Sequence, residues 1–425
     1  MLLVSRRWFH GGLVAAAAVL LGAGLLGAAP AGAAIAPGVR AVLLPVPRAA
    51  AGTALSTSVV AVTPLGAMAG TTSSLRTLPD GSLVGDSNAE RWLPDGPRTW
   101  IRQQLPRPPG TTDAKAAGLT DLAEVGGSWD TDGAQDDDVA VRWPLTGGAG
   151  TVIGGIDSRV TAVGPDGTWG VQTDVPGYRT IAATVELVDR SGTRTPIDTG
   201  VRLGFITSIA DRHTAVLNLV DGVGYGTTST PAVWQDGQLQ RLPVVSSPLA
   251  LPDCVSQILP DGSVAYSGIR YANDSYQQVA QVHRDGVPGT EVPLDLRGGS
   301  GSVACGGPDT VAADGSVGGT LALPGQTASQ ATIWSGTEPT QLPLQPGETS
   351  STVVALQSAT FAIAAGQLAS GGQDLWAWHH GKVIPLTIPS GYTLVNVVAL
   401  TPLGLAVANL QDAVGLSHPA AWQIP

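Results

Sequence analysis

Four oxygen-bearing side chains follow one another closely in the stretch SWDTDGAQDDDV. Their spacing fits the pattern D-x-D-x-D-G-x-x-D with serine at the first position, and the residues are Ser128, Asp130, Asp132 and Asp136. Closely spaced carboxylates before a glycine turn can form the oxygen cage that Ca²⁺ requires. The preferred interpretation is an acidic hairpin exposed to water, and the alternative is a structural Ca²⁺ site. No other cofactor is predicted.

The two cysteines of the chain, Cys254 and Cys305, each lie a few residues before an Asp-Gly pair. In an exported protein an even, minimal number of cysteines favours a disulfide. A bridge across this 51-residue separation would stabilise the fold by roughly 4 kcal/mol in the loop-entropy model. We therefore predict a disulfide, with two buried thiols as the alternative.

Aromatic and imidazole side chains are the candidate ligand-binding residues, because exposed rings can stack on a sugar or on a protein side chain. The candidates that fall outside the regular pattern of tryptophans, or replace one of them, are Trp129, Trp169, Tyr225, Tyr276 and His283. No G-x-S-x-G motif occurs, and the stretch SLVGDSN is followed by no Asp-x-x-His partner. We predict no catalytic residue from these patterns.

The composition indicates which elements must position these residues. The chain contains 56 Gly and 32 Pro, 43% of its residues are hydrophobic and 13% are charged. Glycine and proline at this density interrupt helices and separate short strands. The predicted fold class is all-β, and the chain is longer than one conventional core usually serves, since single cores stop growing at about 250–300 residues.

A tryptophan followed by a glycine turn recurs along the chain with a period of about 47 residues. The copies contain Trp92, Trp143, Trp234, Trp334, Trp378 and Trp422, and in two further copies the position falls on Glu186 or Leu187 and on His283. A second phrase built on Asp-Gly, as in LPDGSLVG and ADGSVGG, comes before four of these copies. Asp-Gly favours tight hairpins, and a period near 47 is typical of four-stranded propeller blades.

The first and last repeats share a phrase, VVAVTPLGAMAG from Val59 and VVALTPLGLAVA from Val397. The two copies are seven periods apart, and the final unit, Val397–Pro425, is only half as long as the others. The segment GVRAVLLPVPR at Gly38–Arg48 has the Leu-Pro ending of the missing half. We predict a β-propeller of eight blades closed by this N-terminal strand, with seven blades as the alternative, because closure removes open sheet edges.

These phrases resemble the unit of secreted HAF-repeat proteins, which reads roughly Asp-x-Gly-x-Val-x-Gly, a gap, and then Ala-Phe-x-Trp with a glycine turn. The resemblance extends over Gly38–Pro425 and is strongest in ADGSVGG with ATIW and in LPDGSVAYSG. It implies export and a propeller. It implies no shared activity and adds no catalytic residue.

Residues 1–33 contain an Arg-Arg pair, an apolar segment and an Ala-x-Ala site. This pattern is typical of a twin-arginine or general secretory signal, so we predict that 34–425 is one propeller domain in the periplasm or outside the cell. The formal charge of −11 argues against nucleic acid and membranes as partners.

The predicted function is a secreted, monomeric binding or interaction module with an unknown protein or glycan ligand. The alternative is a polysaccharide-active hydrolase or lyase at the channel mouth. The sequence identifies neither the ligand nor the export route.

Overall fold

The computed structural model describes residues 38–77, 83–130, 137–174, 183–201, 203–221, 228–242, 257–258, 264–272, 275–283, 291–303, 310–312 and 314–425. Contacts divide the chain into two units, Met1–Ala34 and Ile35–Pro425, and the described residues all lie in the second unit. The predicted signal at 1–33 lies outside the described residues. The described part contains no helix, and therefore none that could cross a membrane. The predicted all-β class is confirmed.

The strands of the described residues form eight sheets, and most of them are four-stranded antiparallel meanders of consecutive strands. We number the sheets along the chain. Sheet 1 contains β3 (Thr53–Val62), β4 (Met68–Thr77), β5 (Leu83–Gly96) and β6 (Thr99–Gln104). Sheet 2 contains β7 (Ala114–Leu119), β8 (Val125–Asp130), β9 (Asp138–Trp143) and β10 (Thr151–Ile156). Sheet 3 contains β11 (Ser158–Val163), β12 (Trp169–Asp174), β13 (Ala183–Val188) and β14 (Arg194–Ile197).

The middle of the chain continues this pattern. Sheet 4 contains β15 (Leu203–Asp211), β16 (Thr214–Asp221), β17 (Thr228–Gln235) and β18 (Gln238–Arg241). Sheet 5 contains β19 (Gln257–Ile258), β20 (Val264–Ala272), β21 (Ser275–His283) and β22 (Glu291–Pro293). Sheet 6 contains β23 (Ser300–Val303), β24 (Val317–Ala322), β25 (Gln330–Ser335) and β26 (Glu338–Gln341).

The last two sheets combine strands from both ends of the second unit. Sheet 7 contains β27 (Glu348–Ser358), β28 (Phe361–Leu368), β29 (Gln373–His379) and β30 (Lys382–Thr387), and β1 (Val39–Arg40) pairs with β30 in parallel. Sheet 8 contains β31 (Tyr392–Leu400), β32 (Leu405–Asp412) and β33 (Ser417–Gln423), and its fourth strand is β2 (Val42–Leu43). The half-length C-terminal unit thus pairs with the N-terminal segment, as the sequence predicts.

The phrase shared by the first and last repeats forms the same hairpin twice. In β3–β4 the N–H of Thr63 donates to the carbonyl of Ala67 at 2.8 Å, and in β31–β32 Thr401 donates to Leu405 at 2.8 Å. The glycine of each turn has a positive φ, 84° at Gly66 and 77° at Gly404, which explains why glycine occupies both positions. The two copies therefore occupy equivalent places in sheets 1 and 8.

Several of the repeated tryptophans fasten their sheet to the one before it. Trp143 in sheet 2 donates its indole N–H at 2.7 Å to the carbonyl of Pro106, just beyond the outer strand of sheet 1. Trp334 in sheet 6 makes the corresponding bond at 3.1 Å to Asp295, beyond the outer strand of sheet 5. Both side chains are fully buried. A buried indole requires an acceptor for its N–H, and here that acceptor belongs to the neighbouring sheet.

Sheets 1 and 8 are joined by the same contact. Trp92 of sheet 1 donates at 2.8 Å to the carbonyl of Pro45, which follows β2 of sheet 8. Leu44 donates its N–H to Pro419 at 2.9 Å and is 3% exposed. In addition, the side chain of Asn409 in β32 accepts from the N–H of Val59 at 2.8 Å and donates to its carbonyl at 2.9 Å. Residues more than 300 positions apart thus form one buried interface.

Candidate functional site

The residues of the predicted calcium motif lie at and beyond the end of β8. Ser128 and Asp130 are buried, at 7% and 6% exposure. Asp130 accepts a hydrogen bond from the hydroxyl of Thr112 at 3.1 Å. Asp132 and Asp136 lie outside the described residues. In the described part of the chain, no three side chains of the metal-ligating types are grouped so that they could hold an ion.

The same end of sheet 2 carries a second carboxylate, which the sequence analysis did not single out. Asp138 lies directly opposite Asp130 in the β8–β9 register. Burial raises the pKa of Asp138, and the neighbouring Asp130 and Asp113 act in the same direction, whereas Lys115 and Arg159 oppose them. The cluster contains three carboxyl groups and two cations, so much of its charge is neutralised within the protein.

The two predicted aromatic ligand residues that the structure describes belong to the core. Trp129 is 6% exposed and packs edge-to-face on Trp143, with ring centroids 5.9 Å apart. Trp169 is fully buried and lies opposite Val188, as Val317 lies opposite Trp334. In sheet 3 the large aromatic ring therefore lies on β12. The paired position on β13, where most other sheets have a tryptophan, is Val188. Neither ring presents a face to a ligand.

The remaining predicted residues are described only in part or not at all. Tyr276 and His283 lie in β21, and the register places His283 opposite Val264, the position that tryptophan takes in other sheets, but their side chains lie outside the described residues. Tyr225, Cys254 and Cys305 also lie outside the described residues. The disulfide therefore stays a prediction. In sheet 3 the register assigns the tryptophan position to Val188 and not to Glu186 or Leu187.

A groove of about 320 Å³ lies between sheets 3 and 4, at the end where the hairpin turns are located. Its buried lining is Leu187 of β13, at 1% exposure, and Trp234 of β17, at 5%. The polar lining residues come from the turns β13–β14, β15–β16 and β17–β18 and from strand β14. They are Asp189, Thr193, Thr195, Arg212, His213 and Asp236. We call this the sheet 3/4 groove.

The polar groups of the sheet 3/4 groove are connected to one another. His213 Nδ1 is 3.1 Å from Asp236 Oδ1, and Arg212 Nε donates to His213 Nε2 at 2.8 Å. Because Nε2 accepts a hydrogen bond, the imidazole proton of the neutral form lies on Nδ1 and is donated to Asp236. The chain of contacts fixes the side chains that form one wall of the groove.

The opposite wall is held by the turn after β13. Asp189 Oδ1 accepts from the hydroxyl of Ser191 at 2.6 Å and from the N–H groups of Ser191 and Thr193 at 2.8 and 2.9 Å. These bonds, the one from the Ser191 hydroxyl first, lower the pKa of Asp189, and Arg212 contributes in the same direction. An ionised carboxylate is thus positioned across the groove from Arg212.

One feature of the sequence could have drawn attention to this groove. Four sheets have a glycine with positive φ in their first hairpin turn, and these are Gly66, Gly167, Gly315 and Gly404. In sheet 4 the corresponding turn reads Asp-Arg-His-Thr. A turn with arginine and histidine in place of glycine departs from the simplest hairpin.

A smaller groove of about 150 Å³ lies between sheets 8 and 1 at the same end. Its lining includes Leu65 and Leu403, which are 74% and 64% exposed. Trp100 donates its indole N–H to Gly66 at 3.0 Å within it. This groove is more apolar than the sheet 3/4 groove and holds no ionisable side chain among its lining residues.

Comparisons with known proteins give no family for this chain. No family model matches it, and no curated protein matches it. Among solved structures, the β-propeller domain of the Trilobed protease from Pyrococcus furiosus is 12% identical, with 79% of this chain and 99% of that chain covered and a TM-score of 0.45.

Two peptidases are also similar in structure. A prolyl endopeptidase is 13% identical, with 84% of this chain covered and a TM-score of 0.48. Dipeptidyl peptidase 4 of Porphyromonas gingivalis is 10% identical, with 80% of this chain covered and a TM-score of 0.47. This chain spans about half the length of each peptidase, 55% and 56%. At these values the similarity carries no inference about activity.

Proposed function

We propose that residues 34–425 form a single eight-bladed β-propeller, with each sheet as one blade and β2 closing the ring. The support is the equivalence of the contacts at the junction of sheets 8 and 1. The bond from Trp92 to Pro45 repeats the bond from Trp143 to Pro106. A ring closed in this way pairs the outer position of the last blade with the start of the chain, which limits open sheet edges.

The protein is proposed to be exported as a monomer and to act as a binding or interaction module for a glycan or protein. The observation that carries this proposal is the sheet 3/4 groove, because it combines a buried apolar base with fixed polar groups. Pockets that recognise small ligands have this composition, and their volumes begin at about 300 Å³. The export signal at 1–33 and the Cys254–Cys305 disulfide belong to the same proposal.

A second candidate function, polysaccharide hydrolysis or cleavage by a lyase, is favoured by the pair Asp130 and Asp138. Residues directly opposite on antiparallel strands have Cβ atoms about 5 Å apart, and burial raises the pKa of one member. A protonated carboxyl beside an ionised one is the arrangement that glycosidases use. Lys115 and Arg159 oppose that shift, which is why binding without catalysis is preferred.

The test is a thermal unfolding experiment on the mature protein with a panel of wall and plant polysaccharides and a panel of peptides. A ligand that binds only the folded protein raises the midpoint, since a concentration of 100 Kd contributes about 2.7 kcal/mol. A raised midpoint without release of new reducing ends supports the binding module. Release of reducing ends that Asp138→Asn abolishes would replace it with the enzyme. A panel that shifts nothing would contradict both.

Thermal unfolding also tests the alternative that the acidic motif binds a structural Ca²⁺ ion. A midpoint that rises with Ca²⁺ and falls with EDTA, and that no longer responds after Asp130→Asn, supports a structural ion at Ser128, Asp130, Asp132 and Asp136. An unchanged midpoint supports the acidic hairpin.

A further inference from the structure

We propose that the sheet 3/4 groove is a carbohydrate site that takes one neutral hexopyranose residue, such as the end of a neutral glycan. This inference rests on the binding module proposed above and names its site and ligand class. Three properties of the groove carry it: the apolar base, the alternation of donors and acceptors around it, and the balance of charge.

The base of the groove suits the C–H face of a sugar ring. Leu187 and Trp234 line it but are only 1% and 5% exposed, so only an edge of each side chain reaches the groove. A pyranose has one face made mainly of C–H groups, and an indole edge and a leucine side chain can pack against it. A volume of about 320 Å³ lies at the lower end of the range for ligand pockets, which matches a single ring better than an extended chain.

The rim offers both kinds of hydrogen-bonding partner that sugar hydroxyls need. A hydroxyl donates one hydrogen bond and accepts others, so a site for neighbouring hydroxyls requires acceptors and donors side by side. Asp189 and Asp236 are acceptors, Arg212 is a donor, and the hydroxyls of Thr193 and Thr195 serve as either. The bond from Arg212 to His213 uses Nε, so it leaves the terminal amino groups of the guanidinium to other partners.

These groups are held in place before a ligand arrives. Three hydrogen bonds fix Asp189 Oδ1 within its own turn, and the more exposed side chain of Asp236 lies 3.1 Å from His213. The backbone of Asp236 also donates to the carbonyl of His213 at 2.9 Å. Polar groups that are already ordered lose little conformational freedom on binding, and this favours weak, rigid ligands such as sugars.

The charge of the lining selects against strongly anionic ligands. Two carboxylates, Asp189 and Asp236, face one guanidinium, Arg212, and one imidazole, His213. A phosphate, a sulfate or a sugar acid would meet both carboxylates and would pay an electrostatic cost that Arg212 alone does not offset. A neutral ligand escapes that cost, and charge-assisted hydrogen bonds to its hydroxyls remain available.

The experiment is isothermal titration of the mature protein with five probes. Three are neutral, the methyl glycosides of glucose, galactose and mannose, one is the cationic sugar glucosamine, and one is the anionic sugar glucuronate. The variants are Arg212→Ala and Asp236→Asn. The matched control is Arg297→Ala, because Arg297 is an exposed arginine paired with Glu338 at 3.5 Å in another part of the protein. Thermal unfolding confirms that each variant is folded.

We expect one of the neutral glycosides to bind, and each groove variant to weaken its binding by roughly tenfold or more, the usual effect of losing one hydrogen bond to a charged group. Arg297→Ala should leave binding unchanged. Equal binding by wild type and both groove variants would place the sugar elsewhere and overturn this site, while the binding module would survive.

Groove-dependent binding of glucosamine or glucuronate without any neutral glycoside would overturn the ligand class. No binding by any of the five probes would overturn the carbohydrate site, and the peptide panel above would then decide the proposed function separately.

Discussion

Replacing Glu90 by glutamine should change how the stability of the protein depends on pH. Glu90 lies in β5, is 1% exposed, and pairs with Arg102 at 2.7 Å. Its second oxygen, Oε2, is buried with no hydrogen-bond partner among the described residues. Burial raises the pKa of Glu90 from 4.5 to about 7, against the opposing effects of Arg102 and of the side chain of Thr72. The folded protein therefore holds a proton on Glu90 over a range of pH in which the unfolded chain has released it.

The sign and size of the effect follow from that difference. Between pH 4.5 and about 7 the folded state binds more protons than the unfolded state, so the free energy of unfolding falls as the pH rises. A change in pKa from 4.5 to about 7 corresponds to roughly 3 kcal/mol. The wild type should lose this amount from Glu90 between pH 4.5 and pH 8, and Glu90→Gln should lose none of it.

The assay is denaturant unfolding of both proteins at pH 4.5, 6, 7 and 8. Other titrating groups contribute to both proteins, so only the difference between the two curves reports on Glu90. Glu186→Gln serves as a control for loss of a carboxylate–arginine pair, because Glu186 pairs with Arg194 at a more exposed position. The reasoning would be refuted if the difference in unfolding free energy between wild type and Glu90→Gln changed by less than about 1 kcal/mol across this pH range.

Three further substitutions test two contacts between sheets and one turn within sheet 8, each by denaturant unfolding. Leu44→Ala should cost about 2–5 kcal/mol because Leu44 is buried between sheets 8 and 1, and the 41% exposed Leu43 is the control; equal effects would refute it. Arg91→Met should cost roughly 3 kcal/mol, since three carbonyls lose their donor; a neutral result would contradict this. Gly404→Ala should cost about 1–3 kcal/mol because φ is 77° and a Cβ would lie 2.6 Å from the Ile424 oxygen; unchanged stability would rule that out.

The all-β fold could largely be predicted from the sequence, because the patterns that indicate it are local and repeated. Asp-Gly pairs favour hairpins within a few residues, and the phrase at Val59 and Val397 predicts two equivalent places in the repeat, where the structure has matching hairpins. The Leu-Pro ending before Arg48 predicts a strand for the last unit, and Val42–Leu43 pairs with β33. These inferences needed only spacing and turn chemistry, which each stretch of chain carries by itself.

The candidate site could not be predicted from the sequence to the same extent. Trp169 stands outside the repeated tryptophan positions in sequence, yet it occupies the core because a ring on β12 can fill the space left opposite Val188. Sequence spacing cannot show that exchange, since it depends on which residues face each other across two strands. The sheet 3/4 groove likewise combines turns from two sheets, and the side chains of Asp189 and Arg212 meet only when those sheets pack.

The junction between sheets 8 and 1 has a consequence for synthesis. Val59, Met68 and Trp92 pack against Val407 and neighbouring residues near the C-terminus. A ribosome builds the chain from the N-terminus, so these apolar side chains lack their native contacts with β32 until that strand has been made. The nascent chain therefore exposes this apolar surface until β32 emerges from the ribosome, and we expect its need for a holding chaperone to last until then.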